Sequence, residues 1–119
     1  IVGAYLSGLP NAWSMTNPRQ IETLKLALTK SEKEWIKKHP TIRIGIDPEF
    51  PPFEFVTEDG RYIGAASDYL KFLSARLNMK FIPQVGLTWN EAVEKAKKRE
   101  IDVLPCIGIT QNRKNYFSF

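Results

Sequence analysis

In 119 residues the chain has a single cysteine, Cys106, and a single histidine, His39. One cysteine excludes an internal disulfide and any zinc site built on thiolates. It lies in the apolar run IDVLPCIGI, where a buried, inert thiol is the expected state. His39 precedes Pro40 in a connecting stretch, far from the sites discussed below. There is no Gly-x-Ser-x-Gly, no phosphate-binding glycine loop and no His-Glu-x-x-His. No apolar run reaches the ~20 residues that span a bilayer. The opening IVGAYL lacks the basic flank and initiator methionine of a signal peptide, which gives the chain the look of a processed piece. Internal repeats and low-complexity tracts are absent too.

What remains is an ordinary globular composition, 43% hydrophobic and 25% charged, with the length of one compact domain. The net charge of +4 comes largely from KSEKEWIKKH and EKAKKRE. Both interleave lysine with glutamate, the pattern of solvated helix faces rather than of a nucleic-acid surface, which would set aromatics among the cations.

The first 16 residues have no period and read as linker. NPRQIETLKLAL predicts a helix, with Asn17 as cap, Pro18 at the first helical position, and Ile21, Leu24 and Leu28 on one face. Thr29 and Glu32 have capping-box spacing for a second helix, or a continuation of the first, which Pro40 stops. Residues 1–40 are thus a helical lead-in. From Thr41 the period changes to two, and Ile42, Ile44 and Ile46 mark a strand. FEFVTEDGRYIG predicts a hairpin turning at Asp59-Gly60. Ala66, Leu70, Leu73 and Leu77 predict a helix with one buried face. KFIPQV is a second strand. Thr88 and Glu91 cap another helix, which continues inward with Trp89, Val93 and Ala96. IDVLPCIG reads as a third strand buried on both faces. The order implies an α/β fold with a mainly parallel sheet, strand order 2-1-3, and helices on its faces.

Ligands of such sheets bind beyond the carboxyl ends of the strands. That edge collects three loops. DPEFPPF follows the first strand. Its prolines stiffen the backbone, Asp47 leaves the strand end, and Phe50 and Phe53 can form a wall. GLTW brings Trp89 to the same edge. On local sequence alone, Phe53 favours a role capping the core, while Phe50 and Trp89 serve equally well as wall or cap. GITQNR ends the third strand. Thr110 as a helix cap and Arg113 one turn in can hold an anion, the guanidinium by two parallel bonds to a carboxylate. A surface arginine paired with a glutamate is the competing reading. Asp47, Glu49 and Glu54 share one loop, where solvated or capping roles are expected rather than acid/base chemistry.

Residues 41–119 resemble the first lobe of the bacterial family 3 extracellular solute-binding proteins, periplasmic binding proteins of Venus-flytrap form. The residues that carry the likeness are IRIGID running into DPEFPPFEF, the DG-x-x-x-G hairpin, W-x-E-A, and ID-V-L-P followed by T-x-x-R and F-S-F. The lead-in LTKSEKEWIKKHP is similar to that of flytrap domains in membrane-bound sensors such as hybrid histidine kinases. The resemblance implies a non-enzymatic lobe that needs no cofactor and binds an amino acid or other carboxylate outside the cytoplasm. Phe50 would stack on the ligand, Asp47 would line the floor or hold the loop, and Trp89 would form the second wall. Arg113 would bind the carboxylate, helped by the Thr110 hydroxyl and amide, with Gly108 also among the ligand-binding residues. Asp68 would be structural. Where amino-acid binders often carry hydroxyls before T-x-x-R, this chain has Cys106, Ile107 and Gly108, which leaves a simple carboxylate open as ligand. A transporter component and the flytrap of a lytic transglycosylase are the alternative settings. The second lobe is absent from the sequence, so the third strand's outer edge is expected to drive self-association.

Overall fold

Thr29 opens the first regular element as its capping box predicts. In the computed structural model, which describes residues 26–119, Thr29 Oγ1 accepts from the Glu32 amide at 3.3 Å. The Glu32 carboxylate in turn accepts from the Thr29 amide at 2.7 Å. The helix α1 spans Lys30–Lys38 and ends at His39 before Pro40. The helix expected from Asn17 lies outside the described residues except for its last turn, and residues 26–28 are irregular.

β1 (Thr41–Ile44) pairs in parallel with β5 (Lys80–Pro83), Thr41 opposite Lys80 and Ile44 opposite Pro83. On the other side of β1, Val103 forms a parallel bridge to Ile44. β1 therefore lies in the middle, as the 2-1-3 order requires. The third strand is shorter than the apolar run suggested. It is reduced to that bridge, with the Gly45 amide on the Val103 carbonyl at 2.9 Å. Pro105 has no amide to continue a ladder, and the chain bends at Pro105 and Cys106. Side chains secure this seam instead. The Arg43 guanidinium meets the Asp102 carboxylate twice, at 3.0 and 2.8 Å, and also donates to the Arg99 carbonyl.

Between β1 and the next helix lies a small antiparallel sheet. β2 (Glu49–Phe50) pairs with β3 (Glu54–Val56), and β3 with β4 (Tyr62–Ile63). β2 was not expected, because the proline-rich corner reads as a loop. The β3–β4 turn falls where the sequence placed it but is one residue longer. The Gly60 amide donates to the Thr57 carbonyl at 2.8 Å, and the Thr57 amide to the Arg61 carbonyl at 2.9 Å. Gly60 takes the left-handed position at φ 80° that such a three-residue loop needs.

α2 (Ala65–Leu77) ends on Asn78 in the left-handed conformation. α3 (Trp89–Lys97) starts from its capping box, Glu91 amide to Thr88 Oγ1 at 3.3 Å and Thr88 amide to the Glu91 carboxylate at 2.7 Å. Its fully buried residue is Ala92, with Trp89, Val93 and Ala96 half-buried beside it. α4 (Gln111–Lys114) is one turn. The main core joins Ile42, Ile44 and Ile46 to Leu70 of α2 and to Met79, and Ile36 of α1 packs against it. Gly45, between those isoleucines, meets Ile101 and Leu104 instead; a side chain there would collide with Leu104 at 2.7 Å. Asp68 sits on the surface of α2, paired with Lys71 at 3.1 Å.

Candidate functional site

The carboxyl edge of the parallel sheet carries two built regions. The first is the corner after β1. Asp47 turns its carboxylate back onto the Glu49 amide at 3.0 Å. Phe50 and Phe53 bracket the Pro51–Pro52 turn, which closes with the Phe53 amide on the Phe50 carbonyl at 3.0 Å. Their rings lie 5.0 Å apart, tilted by 37°, and are 44% and 49% exposed. Phe53 is therefore not a core residue. The turn places it beside Phe50, so the two form one apolar face open to solvent.

Beneath that face lies the residue sequence reasoning undervalued. Glu54 is completely buried. Its carboxylate accepts from the Asp47 amide at 2.9 Å and from the Tyr62 hydroxyl at 3.0 Å. One buried acid thus ties the end of β1 to β3 and β4. Burial raises the Glu54 acid above its ordinary value, with the two hydrogen bonds pulling the other way. Burial first, and then the carboxylate, push the Tyr62 phenol upward. The Cys106 thiol is pushed up to about 11 by burial, Glu54 and Asp47, so it is held neutral as expected for an inert thiol. The signal in the sequence was the acid's position between two phenylalanines, FEF, at the start of the hairpin, with a tyrosine across it.

Gly64 completes the corner. At φ 117°, a side chain on it would meet the Phe53 carbonyl oxygen at 2.6 Å. That oxygen also accepts the Ala66 amide at 2.9 Å, so the aromatic turn rests on the start of α2.

The second region is Gly108–Arg113. Thr110 Oγ1 accepts the Arg113 amide at 3.2 Å, and Arg113 Nη1 donates to the Gly108 carbonyl at 2.9 Å. Gly108, Thr110 and Arg113 are thus brought together. No acid pairs with Arg113 among the described residues, so the ion pair of the competing reading does not form there. Trp89 starts α3 half-buried and makes no ring contact with Phe50 or Phe53. The expected ligand residues line neither of two hollows elsewhere, of about 670 and 320 Å³. An edge open on one side encloses nothing by itself. The described residues hold no cluster of acids, histidines or cysteines fit for a metal, and none of their helices is long and apolar enough to cross a membrane. The chemistry on offer is recognition by a guanidinium, a hydroxyl and an aromatic face.

Comparison with known proteins agrees with this architecture. The family model for bacterial extracellular solute-binding proteins, family 3, matches residues 42–119. Sensor protein EvgS of Escherichia coli O157:H7 is 30% identical over 95 residues, 79% of this chain and 8% of its own length. The chain therefore spans under a tenth of that relative. The structure of the B. pertussis BvgS periplasmic domain superposes with a TM-score of 0.68 at 22% identity, covering 75% of this chain and 17% of that one. The arginine-bound form of domain 1 from TmArgBP, carrying a Phe57Trp substitution, gives 0.58 at 32% identity, covering 70% of this chain and 64% of that one. With the family model covering most of the chain, and with a parallel α/β lobe, the chain belongs to the bacterial extracellular solute-binding proteins, family 3.

Proposed function

We propose that this chain supplies the first lobe of an extracytoplasmic solute-binding domain that serves as the sensory input of a membrane-anchored receptor. One observation favours a sensor over a transporter component or a transglycosylase. The family model begins at residue 42, whereas the match to EvgS takes in more of the chain than residues 42–119 make up. The likeness to a sensor protein therefore runs back into the lead-in. The fragment binds and does not catalyse. Its ligand is an amino acid or a simpler carboxylate, held by Arg113 with Thr110, while the Gly108 carbonyl accepts from the Arg113 guanidinium and orients it, with Phe50 and Trp89 as apolar walls and Asp47 fixing the loop after β1.

The supporting geometry is Arg113, half-buried, with no acid on it and one bond to a carbonyl. A partly buried guanidinium satisfied by a neutral acceptor can still grip a carboxylate. A lone first domain with arginine bound, that of TmArgBP, is a precedent for one lobe holding a ligand. For this lobe, half of a micromolar site's roughly −8 kcal/mol corresponds to about millimolar binding.

The test is calorimetry on the 119-residue chain, with the proteinogenic L-amino acids and simple mono- and dicarboxylates as probes. Heat from a carboxylate-bearing probe is expected, lost at least about thirtyfold in Arg113→Ala, which is about 2 kcal/mol. Binding that Arg113→Ala leaves unchanged would overturn the site. Among the described residues no strand pairs with Val103 on the side away from β1, which also supports self-association through edge pairing. Light scattering during size exclusion should find more than one copy, and a monomer of 13.6 kDa would refute that part.

A further inference from the structure

The amino edge of the parallel sheet, opposite the solute edge, gathers unpaired positive charge. The helices α1, α2 and α3 all end there. α1 stops with Lys37 and Lys38 just before β1, Lys80 opens β5 after α2, and Lys98 and Arg99 lead from α3 toward the third strand. Hydrogen bonds draw these ends together. The Lys80 amide donates to the Pro40 carbonyl at 2.8 Å, Lys80 lies opposite Thr41, and Arg43 donates to the Arg99 carbonyl at 3.0 Å. Lys37, Lys38, Lys80, Lys98 and Arg99 are all exposed, and no acid pairs with any of them among the described residues. The acids nearby are engaged already: Asp102 by Arg43, Glu100 by Lys95 and Glu94 by Lys97. Glu34 in α1 can offset one of the cations.

We propose that this edge is a docking surface for an anionic lipid bilayer. Lysines near a helix C-terminus complement the helix dipole, which accounts for Lys37, Lys38 and Lys98. It does not account for the other two. Lys80 opens a strand. Arg99 stands past the end of α3 at φ 61°, a left-handed position where glycine is the unstrained residue. The chain thus keeps a guanidinium at a costly backbone position where no acid in the described residues meets it. Protein interfaces deplete lysine and centre on packed aromatics. A lipid surface offers diffuse negative charge instead, which flexible lysine side chains meet without a fixed geometry. Trp35 stands one turn before this end of α1, half exposed and stacked on His39 with ring centres 4.2 Å apart. Indole rings favour the headgroup level of a membrane.

The opposite edge leans to the opposite sign. Asp47, Glu49 and Glu54 lie in and beside the corner after β1, and Glu58 in the hairpin beyond it, against Arg113 and Lys114. An anionic surface orients a lobe polarised in this way with its amino edge inward. The aromatic corner and Arg113 are then turned to solvent, where a solute can reach them. The surface therefore sets the direction in which the solute site opens. It is read from the charges alone and does not depend on which solute the lobe binds.

The test is flotation of the 119-residue chain with vesicles of phosphatidylcholine, made with and without phosphatidylglycerol. Binding is expected only with phosphatidylglycerol, and it should fall as salt is raised. A cation near an anionic surface is worth about fivefold in partition. Lys80→Gln/Arg99→Gln should therefore bind about twenty-five-fold more weakly. Lys114→Gln, at the other edge, should bind like the parent. Arg99→Gly alone should bind about fivefold more weakly while its melting temperature stays level or rises, which a structural role for the Arg99 side chain would not allow. Absence of binding to phosphatidylglycerol vesicles at low salt would overturn the surface, and that result needs no variant. Equal losses from Lys114→Gln and from Lys80→Gln/Arg99→Gln would overturn it too. So would salt-sensitive self-association that Lys80→Gln/Arg99→Gln abolishes without any vesicle binding, since the edge would then belong to the acidic corner of a second copy.

Discussion

The two built regions of the sheet's carboxyl edge are held in opposite ways. The aromatic corner is fixed by bonds between elements: Glu54 reaches Asp47 seven residues back and Tyr62 eight residues on, and Phe53 rests on α2. The Arg113 region is fixed by bonds within itself, three and five residues apart. A corner tied to three elements cannot move without disturbing the lobe. A turn whose bonds among the described residues stay within itself can swing its guanidinium toward a ligand and lose little. The difference assigns the corner to preorganisation and the arginine turn to adaptation. It predicts that the ties under the corner, Glu54 and Gly64, govern stability, and that Arg113 governs affinity with little effect on stability.

The largest effect should come from Glu54→Ala. It removes the acceptor for the Asp47 amide and the Tyr62 hydroxyl together, at roughly 1–3 kcal/mol for each donor left buried without a partner. Urea denaturation should show the midpoint falling sharply. Arg113→Ala, in the same assay, should stay within about 0.5 kcal/mol of the parent, as a change away from the core does. Equal losses from the two variants would erase the distinction.

Next in size is Gly64→Ala. The added carbon meets the Phe53 carbonyl at 2.6 Å, and the backbone sits at φ 117°, where residues with side chains are strained. A cost of about 1–3 kcal/mol is expected. Gly60→Ala makes the control. Its position also has positive φ, but nothing lies within 4 Å of the added carbon. The corner reading requires Gly64→Ala to be the worse of the two by a clear margin in melting temperature.

Much of this was legible in the sequence. The two capping boxes, the strand marked by Ile42 and Ile44 and the leucine face of α2 follow from local periodicity, which needs no knowledge of distant neighbours. So does the grouping of Thr110 with Arg113, three residues apart. What was illegible depends on long-range pairing. The corner strand Glu49–Phe50 exists because β3 returns to pair with it. Phe53 and Phe50 look alike as letters, and only the turn between them decides that both face solvent. Glu54 reads as one of three loop acids until the hairpin closes over it. The third strand was over-read, because an apolar run signals burial and not a ladder, and Pro105 breaks the ladder.

A pH prediction isolates Glu54 further. Its pKa is higher in the folded chain than the ordinary 4.5. The folded state therefore holds this proton more tightly than the unfolded state. Glu54's contribution to stability is fullest below 4.5 and is lost as pH rises through the raised value. Other acids run oppositely. Arg43 holds Asp102 low, and Lys95 holds Glu100 low, so their contributions fade as pH falls. Comparing the chain with Glu54→Gln at each pH cancels those shared terms. The parent's stability relative to the glutamine variant should be greatest in acid and decline toward neutral pH. A flat difference across that range would mean that Glu54 titrates as if in water, and that the corner is looser than its hydrogen bonds imply.

The smallest effect tests the aromatic face. Phe50 and Phe53 are both about half exposed, so neither truncation should carry a core penalty. Their rings touch each other, and an aromatic pair of this geometry is worth about 0.5–1.5 kcal/mol beyond its buried area. A double-mutant cycle with Phe50→Ala and Phe53→Ala should return a coupling near the lower end of that range, since water reaches both rings. Ligand binding should respond more strongly. Removing Phe50 leaves Phe53 without its neighbour, so the wall is lost as a unit, and the two single variants should weaken binding of the responding probe by similar factors. Were Phe53→Ala to unfold the lobe while Phe50→Ala did not, Phe53 would be a core residue after all, and the wall would consist of Phe50 alone.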